Sequence, residues 1–252
     1  MIKTVASIQV RMGSTRLPGK VMKDLVGKPV LGRLVDRVNS AKLLDEVVVA
    51  TSTNPLDDVI YDYCKNNSIS VFRGSEDDVL KRIIGVMDYY NADQGVTLFG
   101  DCPCIDPEII DEMVNTFLSH NGKYDFVGND LATTYPPGLE VEVYKIEALK
   151  DAHKRSLDSK VKEHGTLYIR QHPEIYKLLN IRAPNNLFYP EMEIELDTAE
   201  DFLVIEAIYK HFINVGRLSF SSREIIDFLL KNKELQASNS HVERLWKEYR
   251  EE

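Results

Sequence analysis

A local basic loop lies near the start of the chain, in the segment RMGSTRLPGK (residues 11–20). It holds three cations and two glycines but no acid, although the formal net charge of the chain is -9. Such a loop can turn backbone N–H groups and cations toward one point, which favours an anion. A solvated turn is the alternative, because exposed basic side chains often make no specific contact. The preceding apolar run TVASIQV favours the anion site, since open α/β sheets bind ligands at the carboxyl ends of strands.

The loop differs from the two common glycine-rich phosphate motifs. Gly13 and Gly19 are separated by five residues where a P-loop has four, and Val21 stands where a P-loop has a Ser or Thr for magnesium. The dinucleotide pattern G-x-G-x-x-G is also absent from the loop. The sequence therefore argues against a P-loop NTPase and a Rossmann dehydrogenase, and other nucleotide chemistry stays open.

Two aspartates follow predicted strands, Asp101 in FGDCP and Asp197 in IELDT. If both strands neighbour the first strand, the two carboxylates converge on the basic loop. Two carboxylates beside bound phosphate would form a Mg²⁺ site, because magnesium prefers a few carboxylates plus phosphate oxygens. For Asp197 an alternative is equally open, since an aspartate directly before a helix often only caps it.

The elements that position these residues alternate between strands and helices. Strands are predicted at residues 4–10, 46–52, 70–72 and 95–99, and helices at 30–41, 54–67, 77–90 and from Asp106-Pro107 onward. Further strands are predicted at 138–146 and 192–196, followed by a helix at 197–212. Strict alternation in 138–146 places Glu140 and Glu142 on a half-open face. The pattern predicts one α/β domain with a mixed, mostly parallel sheet flanked by helices.

Composition narrows the class of protein further. The chain of 252 residues is 43% apolar and has three cysteines without metal-ligand spacing, which indicates a reducing cytoplasm. No run approaches the roughly 20 apolar residues of a membrane span, and no leader precedes the first strand. The acidic balance argues against nucleic-acid binding. We therefore expect a cytoplasmic protein that is neither exported nor embedded in a membrane.

Several separated segments together resemble one known family. These are IQVRMGSTRLPGKVM, VVVATSTNPLDD, VFRGSEDDVLKR, GDCPCIDPEIID, YPPGLEVEVY and ELDTAEDF. In this order they resemble the spore-coat polysaccharide biosynthesis type of cytidylyltransferase, which is similar to CMP-KDO synthetases and acylneuraminate cytidylyltransferases. The resemblance implies a single-domain, Rossmann-like nucleotidyltransferase (GT-A-like) fold. We assign this domain to residues 1–213 and a helical appendage to residues 214–252.

The resemblance also implies roles for the charged residues. Arg11, Arg16 and Lys20 would hold the CTP phosphates, and Asp101 and Asp197 would bind the Mg²⁺ cofactor. Arg11, Lys20 and Asp101 would be catalytic. With Arg16, Arg11 and Lys20 would stabilise negative charge at the α-phosphorus and on departing pyrophosphate, and Asp101 would hold the metal that offsets the same charge.

The nucleotide base is expected beside the first strands of the sheet. Gly13 belongs to the phosphate loop, while the main chain after Ile8 and the side chains of Thr51, Ser52 and Ser75 would read the base. Each of these polar residues can equally be a turn or cap residue.

For the acceptor, the resemblance points to Glu140 and Glu142, which would accept hydrogen bonds from sugar hydroxyls. An exposed edge strand would show the same alternation. His164 and Arg170, in VKEHGTLYIRQHP, are candidates for binding a sugar carboxylate or hydroxyl.

The implied reaction transfers CMP from CTP to an acidic sugar with release of pyrophosphate, for surface glycan biosynthesis. An alternative acceptor is a sugar phosphate or other phosphorylated alcohol, which would give a CDP-linked product. An alternative of another class is a non-catalytic nucleotide-binding module. The expected partners are CTP and a small sugar, and the resemblance implies a homodimer.

Overall fold

The computed structural model describes residues 2–244. Within them the strands are β1 (Thr4–Gln9), β2 (Glu46–Ser52), β3 (Val71–Gly74), β4 (Gln94–Phe99), β5 (Phe126–Gly128), β6 (Glu142–Lys145) and β7 (Leu178–Asn180). The helices are α1 (Val30–Val38), α2 (Asp58–Asn66), α3 (Val79–Tyr89), α4 (Pro107–Ser119), α5 (Ile146–Arg155), α6 (Ser159–Glu163), α7 (Leu167–Gln171), α8 (Ala199–Asn214), α9 (Ser222–Lys231) and α10 (Lys233–Ala237). Short 3-10 turns occupy Lys20–Met22 and Pro55–Asp57.

The strands form one mixed sheet in the order β3-β2-β1-β4-β6-β5-β7. β1 is parallel to β2 and β4, and β2 is parallel to β3, while β6 runs antiparallel to β4 and β5. The predicted mixed, mostly parallel α/β sheet is therefore confirmed. Gln9 at the end of β1 pairs with Phe99 at the end of β4, so the basic loop and Asp101 leave the same edge of the sheet.

Alternating side chains of β1 contribute to two cores, one on each face of the sheet. Ala6 and Ile8 pack with residues of α1, α4, α8 and α9, and Val5 packs with residues of α3 and α5. Asp106 caps α4 by accepting the Glu108 N–H at 3.0 Å, as its sequence position predicts. Helices therefore flank both faces, and no helix within residues 2–244 is long and apolar enough to cross a membrane.

Two sequence predictions in the second half are wrong. The ladder of β6 begins only at Glu142, and the face carrying Glu140, Glu142 and Tyr144 is buried, with exposures of 5%, 1% and 0%. It is buried because β6 lies inside the sheet between β4 and β5. Residues 192–196 form no strand; the Ile194 and Leu196 N–H groups donate instead to the carbonyls of Pro137 (2.9 Å) and Asp101 (2.7 Å), in the loops beyond the sheet.

The segment after residue 213 packs on the same core as the preceding residues. Ile225, Ile226 and Leu229 of α9 belong to the core that contains Ile8. Ser221 and Glu224 form the capping box that their spacing predicts. The Ser222 N–H donates to Asp106 Oδ2 at 2.5 Å, which joins α9 to the start of α4. The domain boundary at residue 213 stays a prediction.

Candidate active site

A cavity of about 410 Å³ opens at the carboxyl ends of β1 and β4. Its walls come from the basic loop, α3, β6, the α6–α7 segment and residues 195–197. The predicted site residues among its lining are Arg11, Gly13, Arg16, Lys20, Asp101, Glu140, Glu142, His164, Arg170 and Asp197. The fold thus brings the predicted phosphate, metal and acceptor residues to one cavity.

Asp57 anchors the basic loop to the end of β2. This side chain is 2% exposed, and its Oδ1 accepts the Met12 N–H at 2.7 Å while Oδ2 accepts the Ser52 hydroxyl at 2.5 Å. Gly19, with φ +69°, adopts the left-handed conformation just before the 3-10 turn that carries Lys20. Glycine suits this position because it has no Cβ, whereas L-residues with a side chain are strained there. The loop is therefore held in a defined conformation.

Lys20 lies between the two predicted metal ligands. Its Nζ is 2.9 Å from Asp101 Oδ2 and 3.0 Å from Asp197 Oδ1, and it also donates to the Leu196 carbonyl at 2.7 Å. Burial lowers the pKa of Lys20, but the charges and hydrogen bonds of Asp101 and Asp197 outweigh burial and raise it overall. The two carboxylates therefore favour the charged ammonium.

The two arginines of the loop also contact acids. Arg16 Nη2 lies 2.7 Å from Asp197 Oδ2, and Arg11 Nη2 lies 3.0 Å from Glu163 Oε1. Asp197 is not the cap of α8, because Thr198 caps that helix in a capping box with Asp201. The capping alternative for Asp197 is therefore wrong, and its carboxylate faces the cavity.

Three carboxylates converge near Lys20 and could together hold a divalent cation. Oxygen atoms of Asp101, Glu195 and Asp197 lie within 4.8 Å of one another. Carboxylate oxygens are the ligands that Mg²⁺ prefers, so this donor set fits the predicted cofactor. Sequence reasoning missed Glu195, although its spacing of two residues from Asp197 offered a signal. The same alternation is typical of a strand, which conceals a metal-ligand pair.

Arg82 is a further cation that sequence reasoning missed. It projects from α3 into the cavity, where Nη1 donates to the Ser75 carbonyl at 2.8 Å and Nε to Gln9 Oε1 at 3.1 Å. Burial and the nearby charge of Arg11 lower the pKa of Arg82 to about 10, whereas the charges of Asp57 and Glu76 oppose this shift. Two mutually repelling guanidinium groups at one cavity form an environment that attracts an anion. No local pattern in the sequence marks this arginine.

At the acceptor end, Arg170 lies among carboxylates. Its Nη1 is 3.1 Å from Asp130 Oδ2 and 3.4 Å from Glu142 Oε1, while Glu140 Oε2 accepts the Gly138 N–H at 2.8 Å. The Asp130 side chain is fully buried, so this pair lies in a low-dielectric environment. The charge of Arg170 is therefore largely offset within the protein.

The surroundings of His164 favour its neutral form. Partial desolvation by the cavity wall lowers its pKa from 6.5, and the charges of Arg11 and Arg170 act in the same direction, whereas Glu163 opposes them. A neutral imidazole can both donate and accept a hydrogen bond. His164 thus offers a hydroxyl contact rather than a second positive charge.

Of the segments predicted to read the base, Gln9 and Val10, directly after Ile8, line the cavity, whereas Thr51, Ser52 and Ser75 are not among its lining residues. Ile8, Thr51 and Ser52 are fully buried, and the Ser52 hydroxyl donates to Asp57. Ser75 Oγ accepts the Asp78 N–H at 3.1 Å. Their assignment to the base stays a prediction.

A second cavity, of about 430 Å³, lies at the amino ends of β2 and β3. Its charged lining consists of Lys28 and the acids Asp36, Asp45 and Glu46, so it repels a triphosphate. Lys28 is paired with Asp36 at 2.7 Å, and Glu46 accepts the Ser70 hydroxyl at 2.6 Å. The cavity at the basic loop is therefore the better nucleotide site.

The mixed sheet, with cations and acids meeting at its carboxyl edge, defines the class of α/β nucleotidyltransferases. The sequence model of the cytidylyltransferase family matches residues 5–224, and the chain belongs to this family. The chain is 36% identical over 231 residues to spore coat polysaccharide biosynthesis protein SpsF of Bacillus subtilis, covering 89% of this chain and 93% of that protein.

Two other proteins illustrate the range of relatives. The structure of a cytidylyltransferase from Leptospira borgpetersenii superimposes with a TM-score of 0.89 at 31% identity, covering 97% of this chain and all of that one. An 8-amino-3,8-dideoxy-manno-octulosonate cytidylyltransferase of Shewanella frigidimarina is 27% identical over 241 residues, covering 89% of this chain and 94% of that protein. The predicted fold and family are confirmed.

Proposed function

We propose that this cytidylyltransferase is Mg²⁺-dependent and transfers CMP from CTP to a hydroxyl of an acidic sugar, with release of pyrophosphate, in surface glycan synthesis. The observation that carries the proposal is that the basic loop and the three carboxylates Asp101, Glu195 and Asp197 share one cavity. Binding a triphosphate for this reaction requires both cations and a metal site. A turn that only interacts with solvent would require neither of them.

The charges of the cavity indicate how the triphosphate is held. Arg11 and Arg82 are the cations whose mutual repulsion an anion relieves. Lys20 and Arg16 are paired with the carboxylates and lie at the same edge of the sheet. Asp101, Glu195 and Asp197 would hold the Mg²⁺, which when bound offsets repulsion between the triphosphate and an anionic acceptor.

The chemistry is an in-line displacement at the α-phosphorus. The sugar hydroxyl oxygen forms the new P–O bond, the bond to the bridging oxygen of the β-phosphate breaks, and pyrophosphate leaves with its electron pair. The hydroxyl proton is lost to water. The residues of the chain contribute orientation and fixed positive charge, which supply most of the rate enhancement in phosphoryl transfer.

The acceptor end favours a sugar with many hydroxyls and a single carboxylate. Glu140, Glu142 and neutral His164 can bind hydroxyls, and Arg170 Nη1 lies 3.4 Å from Glu142 Oε1. Because Asp130 and Glu142 already offset the charge of Arg170, a phosphate dianion would be repelled more than a carboxylate. The relative that acts on an amino-octulosonate supports a sugar-acid acceptor.

The test is pyrophosphate release from each of the four nucleoside triphosphates, with and without Mg²⁺, across acidic sugars, sugar phosphates and polyol phosphates. We expect release with CTP, Mg²⁺ and one acidic sugar. Release only with a phosphorylated acceptor would establish the CDP-forming alternative. If CTP binds but no acceptor in a complete panel reacts, the non-catalytic module is favoured instead.

A further inference from the structure

A buried aspartate links the metal-site segment to the end of the described chain. Asp201 is 0% exposed and lies in the first turn of α8. Its Oδ2 accepts the backbone N–H groups of Asp197 at 3.0 Å and of Thr198 at 2.8 Å. Asp201 therefore fixes the backbone from which the Asp197 carboxylate projects.

Residues 239–244, here called the C-terminal latch, hold Asp201 in turn. Asn239 Nδ2 donates to Asp201 Oδ1 at 2.8 Å and to the Glu193 carbonyl at 3.2 Å. Arg244 makes a bidentate pair with Asp201, with Nη1 to Oδ2 at 3.0 Å and Nη2 to Oδ1 at 2.9 Å. Bidentate pairs fix orientation as well as contributing energy, and Arg244 is only 5% exposed.

The latch also reaches the basic loop. The Glu243 carbonyl accepts a hydrogen bond from Arg16 Nη1 at 3.1 Å, and the other terminal nitrogen of Arg16 lies 2.7 Å from Asp197 Oδ2. The contacts therefore close a ring through Arg244, Asp201, Asp197, Arg16 and Glu243. Two members of this ring, Arg16 and Asp197, line the nucleotide cavity.

We propose that the C-terminal latch positions the nucleotide and metal site, with Arg244 as a positioning residue that acts through Asp201 on Asp197. Glu243 acts in parallel by orienting Arg16 through its carbonyl. The inference rests on the proposed roles of Arg16 and Asp197 in binding Mg²⁺ and CTP. It assigns a function to a segment that lies more than 40 residues beyond Asp197 in the sequence.

If the C-terminal latch contributed only to core packing, breaking its contacts would change stability alone. Binding measurements therefore distinguish a packing role from a positioning role. Arg244→Gln removes the bidentate ion pair with Asp201. Arg244→Lys keeps the positive charge but cannot form the two parallel hydrogen bonds of a guanidinium group. The matched control is Arg223→Gln, which breaks an exposed pair with Asp227. In calorimetric titrations of folded protein with Mg²⁺ and CTP, we expect Arg244→Gln to weaken binding about tenfold, because partners behind metal ligands typically contribute 10–100-fold.

Arg244→Lys should recover part of the affinity, and Arg223→Gln should bind like the wild type. Equal affinities in all three variants would overturn the inference and leave the proposed function intact. In turnover assays, the Mg²⁺ concentration that gives half-maximal rate should rise in Arg244→Gln. A core-packing role would change the melting temperature and leave this concentration unchanged.

Hydrogen exchange of the wild type tests the same coupling without any substitution. Binding linkage is reciprocal, so a latch that organises the site must itself be stabilised by a ligand of the site. We expect Mg²⁺ with CTP to slow exchange in residues 239–244 as well as in 11–20. Protection of 11–20 with unchanged exchange in the latch would refute the positioning role.

Absence of protection at both segments would count against the proposed function and not against the latch. The latch is then tested on the free protein, where Arg244→Gln must speed exchange in 11–20 and 195–198. Arg223→Gln must leave both segments unchanged. Equal exchange in the two variants would refute the latch independently of any nucleotide.

Discussion

Lys20 and Asp101 are 81 residues apart in the sequence, yet Lys20 Nζ lies 2.9 Å from Asp101 Oδ2. With Asp197 Oδ1 at 3.0 Å on its other side, this ammonium offsets the repulsion between two carboxylates of the candidate metal site. Lys20, a cation of the predicted phosphate loop, therefore contacts carboxylate oxygens of the candidate metal site. A metal ion bound there would compete with Lys20 for these oxygens.

Lys20→Met should destabilise the metal-free protein. The change leaves Asp101 and Asp197 without their shared cation, and breaking a buried pair costs about 3 kcal/mol, less here because Asp101 is partly exposed. We expect the free energy of unfolding in urea to fall by about 2 kcal/mol, and Mg²⁺ to restore part of it. Lys28→Met, which breaks an exposed pair with Asp36, should change it by less than about 1 kcal/mol. A Lys20 variant as stable as the wild type, with or without Mg²⁺, would contradict this reading.

Asp101→Asn should reduce turnover far more than stability. It removes one carboxylate from the proposed metal-binding set of Asp101, Glu195 and Asp197, and losing such an electrostatic contact costs about a hundredfold in rate. The measurement is pyrophosphate release at saturating CTP together with the melting temperature. Asp88→Asn, an exposed substitution on α3, is the control. Equal turnover in both variants would remove Asp101 from the metal site.

Arg82→Gln should raise the KM for CTP by about tenfold, because the loss of one charge-assisted hydrogen bond weakens binding by about 1.5 kcal/mol or more. We expect a smaller change in the KM of the sugar, since Arg82 contacts Gln9 and the Ser75 carbonyl and none of the proposed acceptor residues. Initial rates at varied CTP and sugar measure both constants. The exposed variant Arg155→Gln serves as the control, and an unchanged KM for CTP would separate Arg82 from the triphosphate.

The contribution of Asp201 to stability should depend on pH. Burial alone would raise the pKa of Asp201, but Arg244, Asn239 and the Thr198 N–H lower it below its ordinary value of 3.8. A carboxyl with a lowered folded-state pKa stabilises the protein above the unfolded-state pKa, and this contribution is lost as pH falls through the folded-state pKa. The difference in unfolding free energy between wild type and Asp201→Asn should therefore be constant from pH 5 to 7 and shrink below about pH 4. A difference that stayed constant to pH 3 would contradict the ion pair.

The first half of the fold was predictable because its signals are local. Buried strands are marked by their own apolar runs. Two helical segments are marked by a capping residue, Asn54 or Asp106, and by the proline that follows it. The strands β5 and β7 have three residues each, which is too short for a periodic signal. The false strand at 192–196 arose because apolar residues and glutamates alternate there in the sequence, and a loop packed between other segments can carry the same alternation.

For the site, residue type and position after a strand identified the basic loop, Asp101 and Asp197, because parallel neighbours bring their carboxyl ends to one edge. Arg82 and Glu195 were missed, since a helix or loop residue gains its role only from what the tertiary structure places opposite it.

By itself, the sequence determined the α/β class, the family resemblance and the charged residues that gather at one sheet edge. Only the tertiary structure decided how those charges pair, that the face of Glu140 and Glu142 is buried, and that the C-terminal latch reaches Arg16 and Asp201. The physical reason is the sequence separation over which each interaction acts. Periodicity and capping act within one helix or strand, whereas ion pairs and burial depend on segments that are distant in sequence and come together only when the chain folds.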